Sequence, residues 1–135
     1  MILFDTTFLI DLVNGDPGAV KIASNLDEME ESAALSVISM HEYLLGVYLT
    51  YYGKELFRQK LDSAKRDLSK FRILPFTKNS AHLSAKIQAE VTKKGKPIGI
   101  NDIYIGATAL YYNIKLMSRN ERHFKQITGL DLTTY

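Results

Sequence analysis

The sequence predicts an α/β fold in which a mostly parallel β-sheet is flanked by α-helices. Short apolar runs that suit buried strands alternate along the chain with longer segments whose apolar residues recur at helical spacing. The length of 135 residues suits one domain, and no repeat, linker or low-complexity tract divides it. We therefore expect residues 1–135 to form a single domain.

Five segments are predicted to be strands. They are short, apolar and bounded by polar or turn-forming residues, and they comprise Met1–Phe4, Ala33–Val37, Arg72–Phe76, Ile114–Met117 and Leu130–Leu132. Pro75 lacks an amide hydrogen for a neighbouring strand, so it indicates the end of the third segment.

The segments between these strands are predicted to be helices. They comprise Thr6–Val13, a helix from Pro17 toward Glu31, a helix capped by Ser39 that ends near Gly53, Lys54–Lys70, Asn79–Lys94, Asn101–Tyr112 and a short helix over Glu121–Lys125. The segment Asn101–Tyr112 is apolar on nearly every side, which predicts a central, buried helix.

Composition excludes several classes of protein. The chain has no cysteine, which rules out disulfides, thiolate metal sites and a cysteine nucleophile. The apolar N-terminus lacks the basic start of an export signal and is interrupted by Asp5 and Asp11. The longest uncharged run, Ile103–Ile114, is shorter than the roughly 20 residues that cross a membrane. We expect a soluble protein of the cytoplasm that does not bind membranes.

The net charge of +2 conceals an uneven distribution. Residues 1–52 hold eight acidic and one basic residue, whereas residues 53–96 hold twelve basic and four acidic residues. This pattern suits a protein that holds a polyanion beside an acidic site, and a lysine-rich solvated helix face is the alternative. The candidate polyanion-binding residues are Lys60, Lys65, Arg66, Lys93, Lys94 and Lys96.

Four polar residues are predicted to meet at one edge of the sheet. Asp5 follows the first strand, and Glu42 lies early in the helix after the second. Asp102 opens the buried helix, and Asn120 follows the last central strand. Parallel sheets place their sites at the carboxyl ends of the strands, so we expect these side chains to lie close together.

Three clustered carboxylates suit a divalent metal ion. Mg²⁺ and Mn²⁺ prefer carboxylate oxygens, and a bound ion supplies the activated water and charge stabilisation that phosphodiester hydrolysis requires. The sequence contains no GxSxG elbow, P-loop or HExxH motif that offers a rival chemistry. The histidines are expected outside the metal site, and His123, which is nearest, is expected at the surface.

Each polar residue also has a purely structural interpretation. Asp5 could cap the helix that starts at Thr6, and Glu42 could be the capping-box partner of Ser39. Asp102 could complement the dipole of its own helix. Asn120 could be an ordinary turn residue. These alternatives remain open at this stage.

Four segments of the chain resemble the motifs of one known family, the PIN-domain ribonucleases, and especially the VapC-type toxins of toxin–antitoxin pairs. The matching segments are, in the family's order, FDTTFLIDL, SVISMHEYLLGV, IGINDIYIGATAL and LMSRNERHF. The resemblance extends roughly from Ile2 to Leu132 and so covers almost the whole chain.

The resemblance implies a PIN fold, cleavage of RNA that depends on Mg²⁺ or Mn²⁺, and metal-binding roles for Asp5, Glu42 and Asp102. Many members have a fourth acid where Asn120 stands, so Asn120 is an additional candidate ligand, although a neutral amide binds Mg²⁺ less well. Supporting contacts to metal-bound water or phosphate are expected from Thr6, Thr7 and Ser118. The resemblance also implies a homodimer and a small antitoxin partner.

Two other functions remain under consideration. The fold could be a nuclease-inactive RNA-binding or interaction module, because Asn120 replaces an acid. A strand that ends in DTT also resembles haloacid-dehalogenase phosphatases, but Thr7 stands where those enzymes need a second aspartate.

One helix is predicted to contact a partner. The segment Glu42–Tyr52 carries more apolar and aromatic surface than one side of a single-domain helix usually needs. The residues concerned are Leu44, Leu45, Tyr48, Tyr51 and Tyr52. We expect part of this surface to stay exposed in the monomer.

Overall fold

In a computed structural model, residues 1–135 form one five-stranded sheet with seven helices. The strands are β1 (Ile2–Phe4), β2 (Ala33–Ser36), β3 (Arg72–Leu74), β4 (Lys115–Met117) and β5 (Leu132–Thr133). The helices are α1 (Thr6–Val13), α2 (Pro17–Glu28), α3 (Val37–Tyr51), α4 (Phe57–Leu68), α5 (Lys78–Lys93), α6 (Ile100–Tyr112) and α7 (Glu121–Phe124). The predicted alternation of strands and helices is confirmed.

Every strand pair in the sheet is parallel, and the strand order is β3-β2-β1-β4-β5. Phe4, the last residue of β1, pairs with Leu35 on one side and with Met117 on the other. Because β1 and β4 end in register, the residues that follow them emerge side by side. Asp5 and Ser118 are those residues.

The sheet lies between two layers of helices because side chains alternate along each strand. Leu3 and Leu116 face a core that contains residues of α5 and α6. Phe4 and Met117 face the opposite core, which contains residues of α1 and α2. The molecule is therefore a three-layer α/β sandwich with β1 in the centre of the sheet.

Helix α6 is buried as predicted. Most residues between Ile103 and Ala109 are buried, and α6 packs against α5. At Gly106 a Cβ atom would lie 2.4 Å from Cδ1 of Ile127, so a larger residue there would force this buried side chain to shift. The helix ends at Asn113, whose φ of 53° lies in the left-handed region that asparagine tolerates. No helix is both long and apolar enough to span a bilayer.

The predicted boundaries shift where a local contact decides them. The helix predicted to be capped by Ser39 is instead capped by Ser36 and begins at Val37, because the Ser36 side chain accepts a hydrogen bond from the Ile38 amide. The helix expected from Lys54 begins only at Phe57, after a turn. The last strand is Leu132–Thr133 rather than Leu130–Leu132, because Leu132 pairs with Leu116 of β4.

Candidate active site

Asp5 stands at the carboxyl end of β1, in the centre of the sheet edge. Its Oδ1 accepts a hydrogen bond from the Phe8 amide at 3.0 Å and thereby caps α1. Its Oδ2 accepts a hydrogen bond from Ser118 Oγ at 2.5 Å, and the residue is only 3% exposed. The helix-cap interpretation is therefore correct, and it leaves the second oxygen facing the end of β4.

Burial raises the pKa of the Asp5 carboxyl above its usual value near 3.8. The hydrogen bonds from Ser118 and Phe8 lower it, and the negative charges of Asp102 and Asp11 raise it further. The net effect is a raised pKa, which means that the buried negative charge is not fully compensated by the protein. A cation beside Asp5 would supply the missing compensation.

Ser118 connects the two central strand ends. Its hydroxyl group donates to Asp5 and accepts a hydrogen bond from the backbone amide of Asn120 at 2.8 Å. The side chain is fully buried. The structure thus brings this predicted supporting residue into direct contact with Asp5.

Asp102 lies in the first turn of α6 and contacts two side chains of the last motif. Asn120 Nδ2 donates to Asp102 Oδ2 at 3.4 Å, and His123 Nδ1 lies 3.0 Å from the same oxygen. Asn120 Nδ2 and His123 Nδ1 are 2.9 Å apart. A hydrogen-bonded chain therefore runs from Asp5 through Ser118 and Asn120 to Asp102.

Sequence reasoning missed the contact that His123 makes. The side chain is 45% exposed, as the surface expectation implied, yet its ring reaches Asp102. The signal was present in the spacing, because His123 follows Asn120 by three residues and so lies on the same side of a helical turn. Asn120, in turn, donates to Asp102 through its side-chain amide nitrogen. Its side-chain oxygen could bind a metal ion beside Asp102 only if the amide group rotated so that the oxygen and nitrogen exchanged places.

Glu42 lies on α3 and reaches the start of α1. Its Oε1 accepts a hydrogen bond from Thr6 Oγ1 at 2.7 Å, which holds it beside the residue that follows Asp5. The capping-box interpretation is wrong, because Ser36 caps the helix and Ser39 is buried without a hydrogen-bond partner for its hydroxyl. Thr7, the other predicted supporting threonine, is exposed.

The donor atoms fit a hard divalent cation, although they are not arranged around one. No three Asp, Glu or His side chains lie close enough together to form a metal cluster. Each of the three candidate carboxylates accepts a hydrogen bond from a neighbouring side chain. Carboxylate and hydroxyl oxygens are the ligands that Mg²⁺ and Mn²⁺ prefer. Because burial raises the pKa of Asp5, a cation beside this carboxylate would be favoured.

Arg119 anchors the segment that carries Ser118 and Asn120. Its guanidinium group donates to Asp16 at 2.9 Å and lies 3.6 Å from Asp11. It also lies over the ring of Tyr135, whose hydroxyl group donates to Asp11 at 2.6 Å. Burial and this hydrogen bond raise the pKa of Tyr135. These contacts join residues more than a hundred positions apart, so no sequence pattern could reveal them.

The candidate polyanion-binding residues are all exposed but do not form one surface. Lys60, Lys65 and Arg66 lie on α4, which packs against α3 and contributes Leu68 to the core on the Phe4 side of the sheet. The remaining lysines lie at the end of α5 and after it, on the Leu3 side. The six candidates therefore fall into two groups on helices that cover opposite sides of the sheet.

Comparison with known proteins gives a consistent result. The sequence matches the profile of the family described as "PIN domain" over residues 2–130. It is 31% identical over 133 residues to "Ribonuclease VapC" of Rickettsia bellii, a match that covers 98% of this chain and 95% of that protein. It is 32% identical over 127 residues to "Toxin FitB" of Neisseria gonorrhoeae, covering 92% of this chain and 91% of that protein.

Solved structures resemble the fold over its whole length. VapBC2 from Rickettsia felis bound to a DNA fragment from its promoter superimposes with a TM-score of 0.83 at 28% identity, covering 100% of this chain and 99% of that one. FitAcB from Neisseria gonorrhoeae gives a TM-score of 0.79 at 27% identity, covering 98% and 96% of the two chains.

Proposed function

The chain belongs to the PIN domain family, and we propose that it is a metal-dependent ribonuclease that serves as the toxin of a toxin–antitoxin pair. The observation that carries this proposal is the buried Asp5 carboxylate, which is connected through Ser118 and Asn120 to Asp102. We propose that residues 1–135 form one PIN domain, and that it acts in the cytoplasm on RNA.

We assign the metal site to Asp5, Glu42 and Asp102, with Mg²⁺ or Mn²⁺ as the ion and Asn120 as an additional candidate ligand. A bound ion would supply an activated water and stabilise negative charge on the phosphate. The side chains around these acids orient them: Ser118 donates to Asp5, and Thr6 donates to Glu42. Asn120 donates to Asp102, and the His123 ring lies 3.0 Å from the same oxygen.

The test measures cleavage of single-stranded RNA by the purified chain with Mg²⁺, with Mn²⁺ and with EDTA. We expect cleavage with a divalent ion and none with EDTA. Asp5→Asn should lower the rate by at least about 100-fold, because a primary ligand is lost. The matched control is Asp131→Asn, an exposed aspartate outside the site, which should cleave like wild type.

The same variant has a second readout that does not depend on activity. Because folding raises the pKa of Asp5, its charge at neutral pH destabilises the metal-free protein. Asparagine keeps the helix cap and removes that charge, but its amide nitrogen cannot accept the hydrogen bond that Ser118 donates to Asp5, so the two effects on the melting temperature in EDTA oppose each other. The increase in melting temperature that Mn²⁺ produces in wild type should disappear in Asp5→Asn. RNA cleavage by a folded Asp5→Asn protein at the wild-type rate would contradict the assignment.

A nuclease-inactive RNA-binding or interaction module is the second candidate, because Asn120 donates to Asp102 where many family members have an acid. RNA binding without cleavage at any divalent ion would favour it. The haloacid-dehalogenase alternative is not supported, because the chain matches the PIN family and Thr7 is exposed where a second aspartate is needed.

For partners, we propose a second copy of this chain and a small antitoxin protein. Helix α3 and the residue that follows it leave several large apolar residues exposed, as expected for a contact surface, namely Leu45, Tyr48, Leu49 and Tyr52. An antitoxin arginine that reached the carboxylates would compete with both the metal and RNA. The product of the gene adjacent to this one should bind the chain and suppress cleavage, and failure to do either would contradict the antitoxin proposal.

A further inference from the structure

An open cavity of about 540 Å³ adjoins the candidate active site on the side of His123. It lies between the loop that follows α5 and the helix α7. Its lining residues are Gly95, Lys96, Pro97, Ile98, Arg122, His123 and Gln126. His123 is shared between this basic pocket and the site, because its ring also contacts Asp102.

The basic pocket is polar and positively charged. Lys96 and Arg122 both line it, and neither forms an ion pair with a carboxylate, whereas the neighbouring Lys125 is paired with Glu121. Uncompensated cations that converge on a cavity attract anions. The pocket has no Phe, Tyr or Trp in its lining, so it offers no ring on which a nucleobase could stack.

Lys96 lines this pocket, and its backbone is fixed by hydrogen bonds at the end of α5. The Lys96 amide donates to the Val91 carbonyl and the Gly95 amide donates to the Thr92 carbonyl, which together form a Schellman motif at the end of α5. Gly95 has a φ of 69°, as the motif requires. The position of Lys96 is thus determined by a helix terminus, and not by a long flexible loop.

We propose that the basic pocket binds a backbone phosphate of the RNA substrate, one next to the phosphate that is cleaved, through Lys96 and Arg122. The proposal rests on the proposed ribonuclease function and adds the place where the neighbouring nucleotide is held. Two cations beside an acidic metal site let the enzyme bind the substrate backbone without placing positive charge among the metal ligands. The pocket would thus bind the substrate, and the adjacent metal site would catalyse its cleavage.

The first experiment compares two double variants of the full chain. Lys96→Gln with Arg122→Gln removes the charges of the pocket, and Lys21→Gln with Arg58→Gln removes two exposed charges elsewhere. RNA binding is measured by fluorescence anisotropy in EDTA over a range of salt concentrations. The pocket variant should bind about 25-fold more weakly at low salt, and the slope of log K against log salt should be smaller by about 0.7, as expected for one phosphate of a single strand. The control should match wild type.

Steady-state cleavage with Mn²⁺ gives an independent readout. A contact made equally in the bound substrate and the transition state changes binding only, so KM should rise in the pocket variant while kcat stays close to wild type. Melting temperatures should be unchanged, since Lys96 and Arg122 are both exposed.

The second experiment identifies the phosphate. Each phosphate of a short RNA is replaced in turn by an uncharged methylphosphonate, and binding to wild type and to the pocket variant is compared. One substitution beside the cleaved bond should weaken binding to wild type and have no effect on the variant, because the partner charges are already gone.

The outcomes separate this proposal from the proposed function. If wild type cleaves RNA but the pocket variant keeps the affinity, salt slope and methylphosphonate pattern of the control, the phosphate pocket is wrong and the ribonuclease function stands. If wild type neither binds nor cleaves RNA with any divalent ion, the proposed function fails, and the pocket proposal fails with it.

Discussion

Asp5 and Ser118 show how single residues can combine folding with function. One oxygen of Asp5 caps α1, and the other accepts the hydroxyl hydrogen of Ser118. Ser118 in turn receives the amide hydrogen of Asn120. The hydroxyl group of Ser118 therefore satisfies two buried polar groups at once, which makes it costly to remove.

A pair of serine variants tests this interpretation. Ser118→Ala should lower the free energy of unfolding by about 2 kcal/mol, because it leaves the Asp5 carboxylate without its donor. Ser39→Ala is the control, since the Ser39 hydroxyl is equally buried but has no partner, and it should leave stability unchanged or raise it slightly. Urea denaturation in EDTA measures both. Equal effects of the two substitutions would contradict the bridging role of Ser118.

At the scale of elements, helix starts and ends place the site residues. Capping by Ser36 begins α3 three residues earlier than predicted, and Glu42 then reaches Thr6 from the second turn. Helix α6 carries Asp102 in its first turn and packs closely on the segment after α7. That close packing keeps Asp102 near Asn120 and His123.

Glycine at position 106 is what permits the close packing. Gly106→Ala would direct a methyl group at the buried Ile127 side chain, and we expect it to cost about 1 kcal/mol of stability despite the better helix propensity of alanine. Gly46→Ala, in α3, meets nothing within 4 Å and should stabilise by up to about 1 kcal/mol. Thermal denaturation of both variants gives the comparison. A stabilising Gly106→Ala would show that α6 does not need this approach.

Two features concern the molecule as a whole, namely the attachment of the C-terminal residue beside the site and the exposed apolar surface of α3. Arg119 and Tyr135 fasten the end of the chain to Asp11 in α1, next to the site. Leu49 on α3 is 79% exposed and Tyr52, which follows α3, is 72% exposed; such exposure is unusual for large apolar residues in a monomer. The surface is continuous with α4, since Tyr48 and Tyr52 both pack against Phe57.

The exposed surface of α3 leads to a prediction about self-association. We expect the isolated chain to form dimers, and Leu49→Lys to shift it to monomers without changing its circular dichroism spectrum, because a charge cannot be buried there without a partner. Multi-angle light scattering over a range of concentrations measures this. Thr50→Lys, at an adjacent exposed polar position, is the control. A wild-type chain that remains monomeric at high micromolar concentration would contradict the dimer.

Much of this protein could be predicted from sequence because the signals are local. The periodicity of apolar residues alone predicted the α/β class, the parallel sheet and the buried α6. The spacing of these residues reflects which sides of a strand or helix are covered by the rest of the protein. Asp5 at the end of β1 and Asp102 at the start of α6 followed from the same elements. The chain order of strands and helices was therefore enough to place both acids at one edge of the sheet.

The tertiary structure decided what depends on contacts between distant residues. The donors that restrain the carboxylates, the contact of His123 with Asp102 and the Arg119–Asp16 ion pair all join separate motifs. The division of the basic residues between the two faces of the sheet also depends on how distant elements pack. It places Lys96 in the pocket beside the site and Lys60 on a helix that covers the opposite face. Sequence spacing describes neighbours along one element, whereas these contacts depend on how separate elements pack, and packing is a property of the whole fold.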